Sequence, residues 1–180
     1  SKGAKLHILH GEVVPSGTAD TFVRTDISEW WKEWKATNPK AFSAINGQFF
    51  DTSNSDTAPL AFSIKSEGAV YLGYGDTTEY PGKKKMMALY PDHAVIEDYD
   101  DDPRMLEHLP AKNILIGLSP HASKALERPL PRTFIGIAKS GQIVIFSSSM
   151  ASQNSADRML RMFGADPDQT MMLDGGTSSH

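Results

Sequence analysis

Cysteine is absent from this 180-residue chain, which excludes disulfides, thiol chemistry and cysteine-based zinc sites together. A surplus of positive charge is missing too. Eighteen lysines and arginines stand against 22 acidic residues, a formal charge of −4, so the electrostatic footprint of a nucleic-acid binder is lacking and no such partner is expected. No apolar run approaches the roughly 20 residues of a bilayer-spanning helix, so no membrane span is expected. The six histidines contain no His-x-x-x-His pair or similar ligand spacing, so no metal and no cofactor is expected. Ser149 stands in no Gly-x-Ser-x-Gly elbow, which removes the usual support for a serine-hydrolase triad. Internal repeats and dividing linkers are also missing, and residues 1–180 read as a single domain large enough to bury a core. Oligomeric state leaves no trace in the composition.

What is present is mostly strand. Residues 5–10 alternate weakly and predict an opening strand. A helix follows, with Asp26 as cap and Glu29 three residues on as a capping-box partner. Ile27, Trp30, Trp31 and Trp34 share one face at i, i+3, i+4, i+7 spacing, and Pro39 ends the run. All three tryptophans lie here; the spacing favours a core face over a sugar-stacking platform. Residues 42–46 predict a short strand, and residues 60–65 and 69–73 a hairpin around Ser66-Glu67-Gly68. Residues 51–59 form a polar loop able to overhang a pocket. Further strands are expected at 86–90, 94–97, 113–118, 133–138 and 142–147, the last two joined by a turn at Ser140-Gly141. A second helix is expected over about 155–163, with Ala156, Met159, Leu160 and Phe163 inward and Gly164 at its C′ position. Many strands, two helices and no βαβ alternation predict an α+β domain with a mixed, largely antiparallel sheet.

Three segments carry the chemistry. At the C-terminal end, the apolar run Met171-Met172-Leu173 delivers Asp174, followed by Gly175-Gly176 and the hydroxyls of Thr177, Ser178 and Ser179. Glycines let backbone N–H groups approach a ligand closely, and such turns form anion-binding concavities. Upstream, Ala44-Ile45 leads into Asn46-Gly47-Gln48-Phe49-Phe50. Between them, Pro131-Arg132-Thr133-Phe134-Ile135-Gly136 puts an arginine at the mouth of an apolar strand. A guanidinium matches phosphate oxygens with its planar fork and stays charged at any working pH. Each element has a plainer reading: Asn-Gly and Asp-Gly are turn formers, Arg132 can pair with an acid such as Glu127, and the hydroxyls can satisfy turn backbone.

Taken in order, these segments resemble the phosphodiester glycosidase family, whose pattern runs Asn-Gly-Gly-Phe-Phe-like, Pro-Arg-Thr-x-Ile-Gly, then Leu-Asp-Gly-Gly-Gly-Ser-Ser. The resemblance covers residues 43–179. Gln48 and Thr177 stand where the family usually has glycine, which adds two side chains near the expected site. The resemblance implies hydrolysis of a sugar-1-phosphodiester of the N-acetylglucosamine type at the anomeric carbon. It assigns Asp174, Arg132 and Asn46 to catalysis, and Gly47, Thr133, Gly175, Gly176, Thr177, Ser178 and Ser179 to binding a phosphorylated glycan. A phosphate leaving group needs less acid assistance than the alkoxide of an ordinary glycoside. One carboxylate and one cation therefore match the demand for charge complementarity. Whether Asp174 is base or nucleophile stays open. A non-catalytic phosphoglycan-binding module and a hydrolase cutting the P–O bond are the alternatives. Ser1-Lys2-Gly3 carries no signal-peptide pattern, and a secreted, periplasmic or cell-envelope location is expected from the resemblance alone.

Two charge runs and one histidine complete the reading. Asp98-Tyr99-Asp100-Asp101-Asp102 lacks the ligand alternation and central glycine of an EF-hand loop and reads as a solvated acidic loop. Lys83-Lys84-Lys85 reads as a solvated turn. His121, in the loop ahead of Arg132, is the one histidine placed to act as acid or base.

Overall fold

A computed structural model describes residues 5–14, 19–53 and 56–175. The chain opens with β1 (Val13–Val14) and β2 (Thr21–Val23), then α1 (Ile27–Thr37) and β3 (Thr57–Pro59). A hairpin of β4 (Ile64–Ser66) and β5 (Ala69–Tyr71) precedes β6 (Lys84–Leu89), β7 (Ala94–Asp98) and the short α2 (Met105–His108). Then come β8 (Asn113–Leu118), β9 (Leu130–Ala138), β10 (Ile143–Ala151), α3 (Gln153–Met162) and β11 (Ala165–Leu173). Strands β1-β2-β3 form a small sheet. The other eight form a second sheet in the order β10-β9-β11-β8-β4-β5, with β6 joining β8 to β7. Every recorded pairing is antiparallel, and the class is α+β as expected.

Strand alternation divides the large sheet into two buried faces. On one, Phe134 of β9 and Met172 of β11 pack with Met86, Ile114, Ile116 and α3's Leu160. On the other, Ile135, Met171 and Leu173 pack with Met87, Leu115 and Ile64. The near-continuous apolar runs of β8, β9 and β11 follow from this burial on both sides. Chain reversals sit where backbone handedness allows them. Glu67 (φ 49°) and Gly68 (φ 90°) close the β4–β5 hairpin, the two positive φ values that a tight two-residue turn requires. The penalty at Glu67 is offset by Asn113, which accepts from its N–H and donates to its carboxylate, each at 3.1 Å.

Several expectations are corrected. Residues 5–10 and 42–46 are not strands, because neither segment finds a backbone ladder to join. Asp26 caps α1 by accepting from the Ser28 N–H at 2.7 Å, yet no α1 residue is buried. The helix stands off the sheet, so its tryptophan face borders a cavity instead of closing a core. In α3 the helix starts at Gln153, two residues earlier than expected, with Ser152 as its cap. Phe163 is 68% exposed, since the chain leaves the helix there. The lysine run is not a solvated turn. Lys84 is buried in β6 and pairs with Asp101 at 2.9 Å, while Lys85 pairs with Asp98 at 2.8 Å. The basic and acidic runs are thus each other's partners, set by the Lys85–Asp98 register of β6 and β7.

Candidate active site

The three chemistry-bearing segments meet at one end of the β9–β11 pair. Ladder partners there are Met172 with Phe134 and Leu173 with Thr133. The ladder ends there, and the same register carried one residue further brings Asp174 toward Arg132, on the face that also carries Phe134 and Met172. Gly175 lies against the Pro131–Arg132 backbone: a Cβ placed on it would come within 2.6 Å of the Pro131 carbonyl oxygen. The first segment closes the set, because the Asp174 N–H donates to the Gly47 carbonyl at 3.0 Å. The Asp174 side chain also accepts from its neighbour's N–H, Gly175, at 2.8 Å. Segments more than 120 residues apart in sequence, around 47 and 174, therefore share one strand tip.

Arg132 is only 4% exposed, and its surroundings are backbone. Its Nη2 donates to the carbonyls of Ala125 at 2.8 Å and Lys124 at 3.2 Å, with the Arg128 carbonyl at 3.5 Å. Its Nη1 lies 3.7 Å from Met172 Sδ. The Nε is buried without a hydrogen-bond partner among the described residues. Burial pulls the guanidinium pKa below its ordinary value, although an arginine remains charged even so. The ion pair with Glu127 is not how this residue is held, since the Glu127 carboxylate accepts from Asn154. Arg132 instead gathers the loop between β8 and β9 around itself.

That loop delivers a residue the sequence reading missed. Lys124 Nζ stands 4.3 Å from the centroid of the Phe49 ring and 5.8 Å from that of Tyr80. Its pKa is lowered, chiefly by burial; the charges of Asp174 and Glu79 pull it upward and Arg132 pushes it down. The same small region therefore holds two carboxylates and two cations. Two non-glycine residues with positive φ flank it, Tyr80 (46°) and Ala125 (54°). Such backbone costs of order 1 kcal/mol or more per residue and concentrates at functional sites. Lys124 has no periodic or motif signal; the only hint was its place in the loop preceding Arg132. His121 shares that loop and is exposed, its N–H donating to Ser119 Oγ at 3.2 Å.

Other expected site residues fall elsewhere. Thr133, 1% exposed, is one residue on from Arg132 and alternates to the opposite face. Asn46 lines a cavity of about 910 Å³ on that second face, bounded by Trp30, Trp34, Met87, Leu115 and Leu173. Its Nδ2 is buried without a hydrogen-bond partner among the described residues. Arg132, Lys124 and Asp174 do not line this cavity, so the apolar space and the charged cluster lie on different faces. Gln48 points its amide back to the fold, donating to the carbonyls of Phe62 and Ser63 and accepting from the Phe49 N–H at 3.1 Å. Gly176, Thr177, Ser178 and Ser179 lie outside the described residues.

An antiparallel α+β fold with polar and charged groups gathered at its strand tips defines the class. The family model for phosphodiester glycosidase matches residues 35–180, and the chain belongs to this family. Among solved structures it is similar to the zebrafish N-acetylglucosamine-1-phosphodiester alpha-N-acetylglucosaminidase catalytic domain auto-inhibited by its pro-peptide. That likeness has a TM-score of 0.53 and 15% sequence identity, over 75% of this chain and 51% of the other. It is a likeness of fold, and the chain spans about half the length of that structure. No curated protein sequence matches the chain. No helix among the described residues is long and apolar enough to cross a membrane.

Proposed function

We propose that the protein hydrolyses the glycosidic bond of a sugar-1-phosphodiester, with N-acetylglucosamine or a close relative as the sugar, releasing free sugar and a phosphomonoester. The observation that carries this is the convergence of Gly47, Arg132 and Asp174, from three distant motifs, at one strand tip. Membership of the family supports the reaction class.

The roles follow from charge. As the anomeric C–O bond breaks, positive charge develops on the sugar and negative charge on the departing phosphate. Fixed groups of opposite sign stabilise both without reorganising. Asp174 faces the developing oxocarbenium ion, as base toward water or as nucleophile. Arg132, a permanent cation caged behind the strand tip, sets a positive field for the phosphate. Asn46, on the cavity face, is assigned a sugar hydroxyl or N-acetyl group lodged there, and the missing side chains of Gly47 and Gly175 let those backbones pack against Leu115 and Pro131. Residues 176–179 are assigned the remaining substrate contacts, and Thr133, buried on the opposite face, supports the strand tip from behind. A phosphorylated glycan in the cell envelope or outside the cell is the proposed natural substrate.

The test is hydrolysis of a UDP-N-acetylglucosamine-type substrate in heavy-oxygen water, wild type beside Asp174→Asn. Label recovered in the sugar, with the variant slowed at least a hundredfold, is the expected result. Label in the phosphate would identify P–O cleavage, and binding of the substrate without product would identify a recognition module; either overturns the proposal.

A further inference from the structure

The cation fitted to meet a phosphate directly is not the one that the Pro-Arg-Thr segment advertises. Arg132 is nine-tenths buried and already spends Nη2 on loop carbonyls, two of them, Ala125 and Lys124, within 3.2 Å. Lys124, by contrast, is only half-buried. Its contacts are ring faces: Phe49, from the Asn-Gly segment, at 4.3 Å, and Tyr80 at 5.8 Å. Among the described residues no carboxylate comes within ion-pair distance of it. The charges of Asp174 and Glu79 reach this ammonium from beyond ion-pair distance and do not outweigh its burial, so it is under-compensated, and an incoming anion would complete its surroundings.

We infer that Lys124 is a substrate-binding residue that contacts the phosphate of the phosphodiester, and that Arg132 acts through it as a positioning residue. The link between the two is a set of direct hydrogen bonds. Arg132 binds the backbone carbonyl of Lys124 itself and that of Ala125 next to it. The Ala125 backbone (φ 54°) is thereby held in a conformation an alanine seldom adopts. Arg132 therefore fixes where the Lys124 stem leaves the loop, and Phe49 fixes where its ammonium ends. Because Phe49 lies two residues beyond Gly47, and Gly47 is bonded to Asp174, the ammonium is tied to the same strand tip as the carboxylate. A point-like, mobile ammonium selects for phosphate charge without demanding one aglycone shape. The site would then accept many phosphodiester aglycones and refuse neutral glycosides.

This inference rests on the glycosidase reading for its substrate, and its test separates the two. The probes are glycerol phosphate, as a minimal phosphomonoester product, and a nitrophenyl-phosphoryl sugar-1-phosphodiester. Lys124→Met is expected to weaken glycerol phosphate binding at least tenfold by calorimetry and to raise KM more than it lowers kcat. Lys124→Arg should recover binding to within about threefold. If Lys124→Met does not fold, the unsubstituted protein answers instead: the Lys124 Nζ resonance, assigned by its loss in Lys124→Arg, should move on adding glycerol phosphate. An unmoved resonance at saturation, or a folded Lys124→Met that binds within twofold of wild type, overturns the inference. Lys124-dependent phosphate binding without any sugar release would overturn the glycosidase reading and leave this inference standing.

Discussion

The N–H of Asp174 donates to the carbonyl of Gly47 at 3.0 Å, a bond that joins the first chemistry-bearing segment to the last. It is not part of a sheet ladder, because residues 42–46 form no strand. Asp174 is thus tied to the Gly47 backbone on one side and follows the β9–β11 ladder on the other. Register does the rest. In an antiparallel pair, residues directly opposite share a face, so the Leu173–Thr133 register, carried one residue further, brings Asp174 toward Arg132. A one-residue slip of β11 would turn Asp174 to the apolar cavity side and leave Arg132 where it is.

Gly175→Ala tests that packing. The added Cβ would sit 2.6 Å from the Pro131 carbonyl oxygen and 3.4 Å from Arg132 Cα, and backbone cannot yield as a flexible side chain would. We expect a loss of roughly 1–3 kcal/mol, the range for an overpacked contact, together with at least a tenfold fall in kcat as Asp174 is displaced. Gly68→Ala is the control. It meets no atom within 4 Å but sits at φ +90°, so thermal denaturation should show a small loss while turnover stays at the wild-type rate.

Gln48→Gly restores the residue usual in the family, and the structure gives the expected cost. The Gln48 amide ties the Asn-Gly segment to the carbonyls of Phe62 and Ser63. Ser63 is in turn anchored by the buried carboxylate of Asp76, which accepts its N–H at 3.0 Å and the Tyr99 hydroxyl at 3.2 Å. Burial of Tyr99, with the Asp76 charge beside it, raises the phenol pKa, so this anchor keeps its proton through the working range. Removing the amide should cost about 1–2 kcal/mol, typical of a lost hydrogen bond or two. Turnover should change by less than about threefold. A large gain in kcat would mean that Gln48 obstructs the substrate, contrary to where its amide points.

Arg132→Met should destabilise the fold where Lys124→Met does not. It removes the donor for the carbonyls of Lys124 and Ala125, and strands partly buried acceptors at about 1–3 kcal/mol. At roughly 2–4 °C per kcal/mol for a chain of this size, scanning calorimetry should register a fall of several degrees. Arg132→Lys restores the charge but not the planar fork. It should regain only part of the stability and little of the phosphate affinity if loop placement is the working role.

How much of this was legible beforehand depended on whether a feature was local. The β8 boundaries, the Glu67-Gly68 and Ser140-Gly141 turns, the Asp26 cap and the Gly164 C′ position (φ 92°) all read directly from sequence, because each is decided within a few residues. The tryptophan face of α1 was correct in phase and wrong in burial, since spacing says which side faces inward but not whether a wall stands there to meet it. The Lys84–Asp101 and Lys85–Asp98 pairs were invisible as pairs. Each run looked solvated alone, and only strand register brings opposite charges together. Lys124 was missed for the same reason: its meaning lies in Phe49, Tyr80 and Asp174, none of them a sequence neighbour.

The pH dependence of phosphate binding provides a test that a merely structural lysine would not pass. The groups around the Lys124 ammonium are Asp174, Glu79, Arg132 and the Tyr80 phenol, whose own pKa is raised by burial and by Glu79. Burial dominates and holds the Lys124 pKa below the ordinary 10.5. Between that lowered value and 10.5, the folded protein binds fewer protons at this site than the unfolded chain does. Stability from this group therefore rises with pH across that window, is fully present above 10.5, and is lost as pH falls through the folded value. Phosphate affinity must run the other way, because it needs the charged ammonium. Above about pH 8, where a phosphomonoester is fully ionised, glycerol phosphate binding should weaken as pH rises, and earlier than for an ordinary lysine. Calorimetric titrations in that range, paired with melting curves, should show opposite slopes in wild type. Both slopes should flatten in Lys124→Met; an affinity independent of pH up to 10 in wild type would remove the ammonium from the phosphate site.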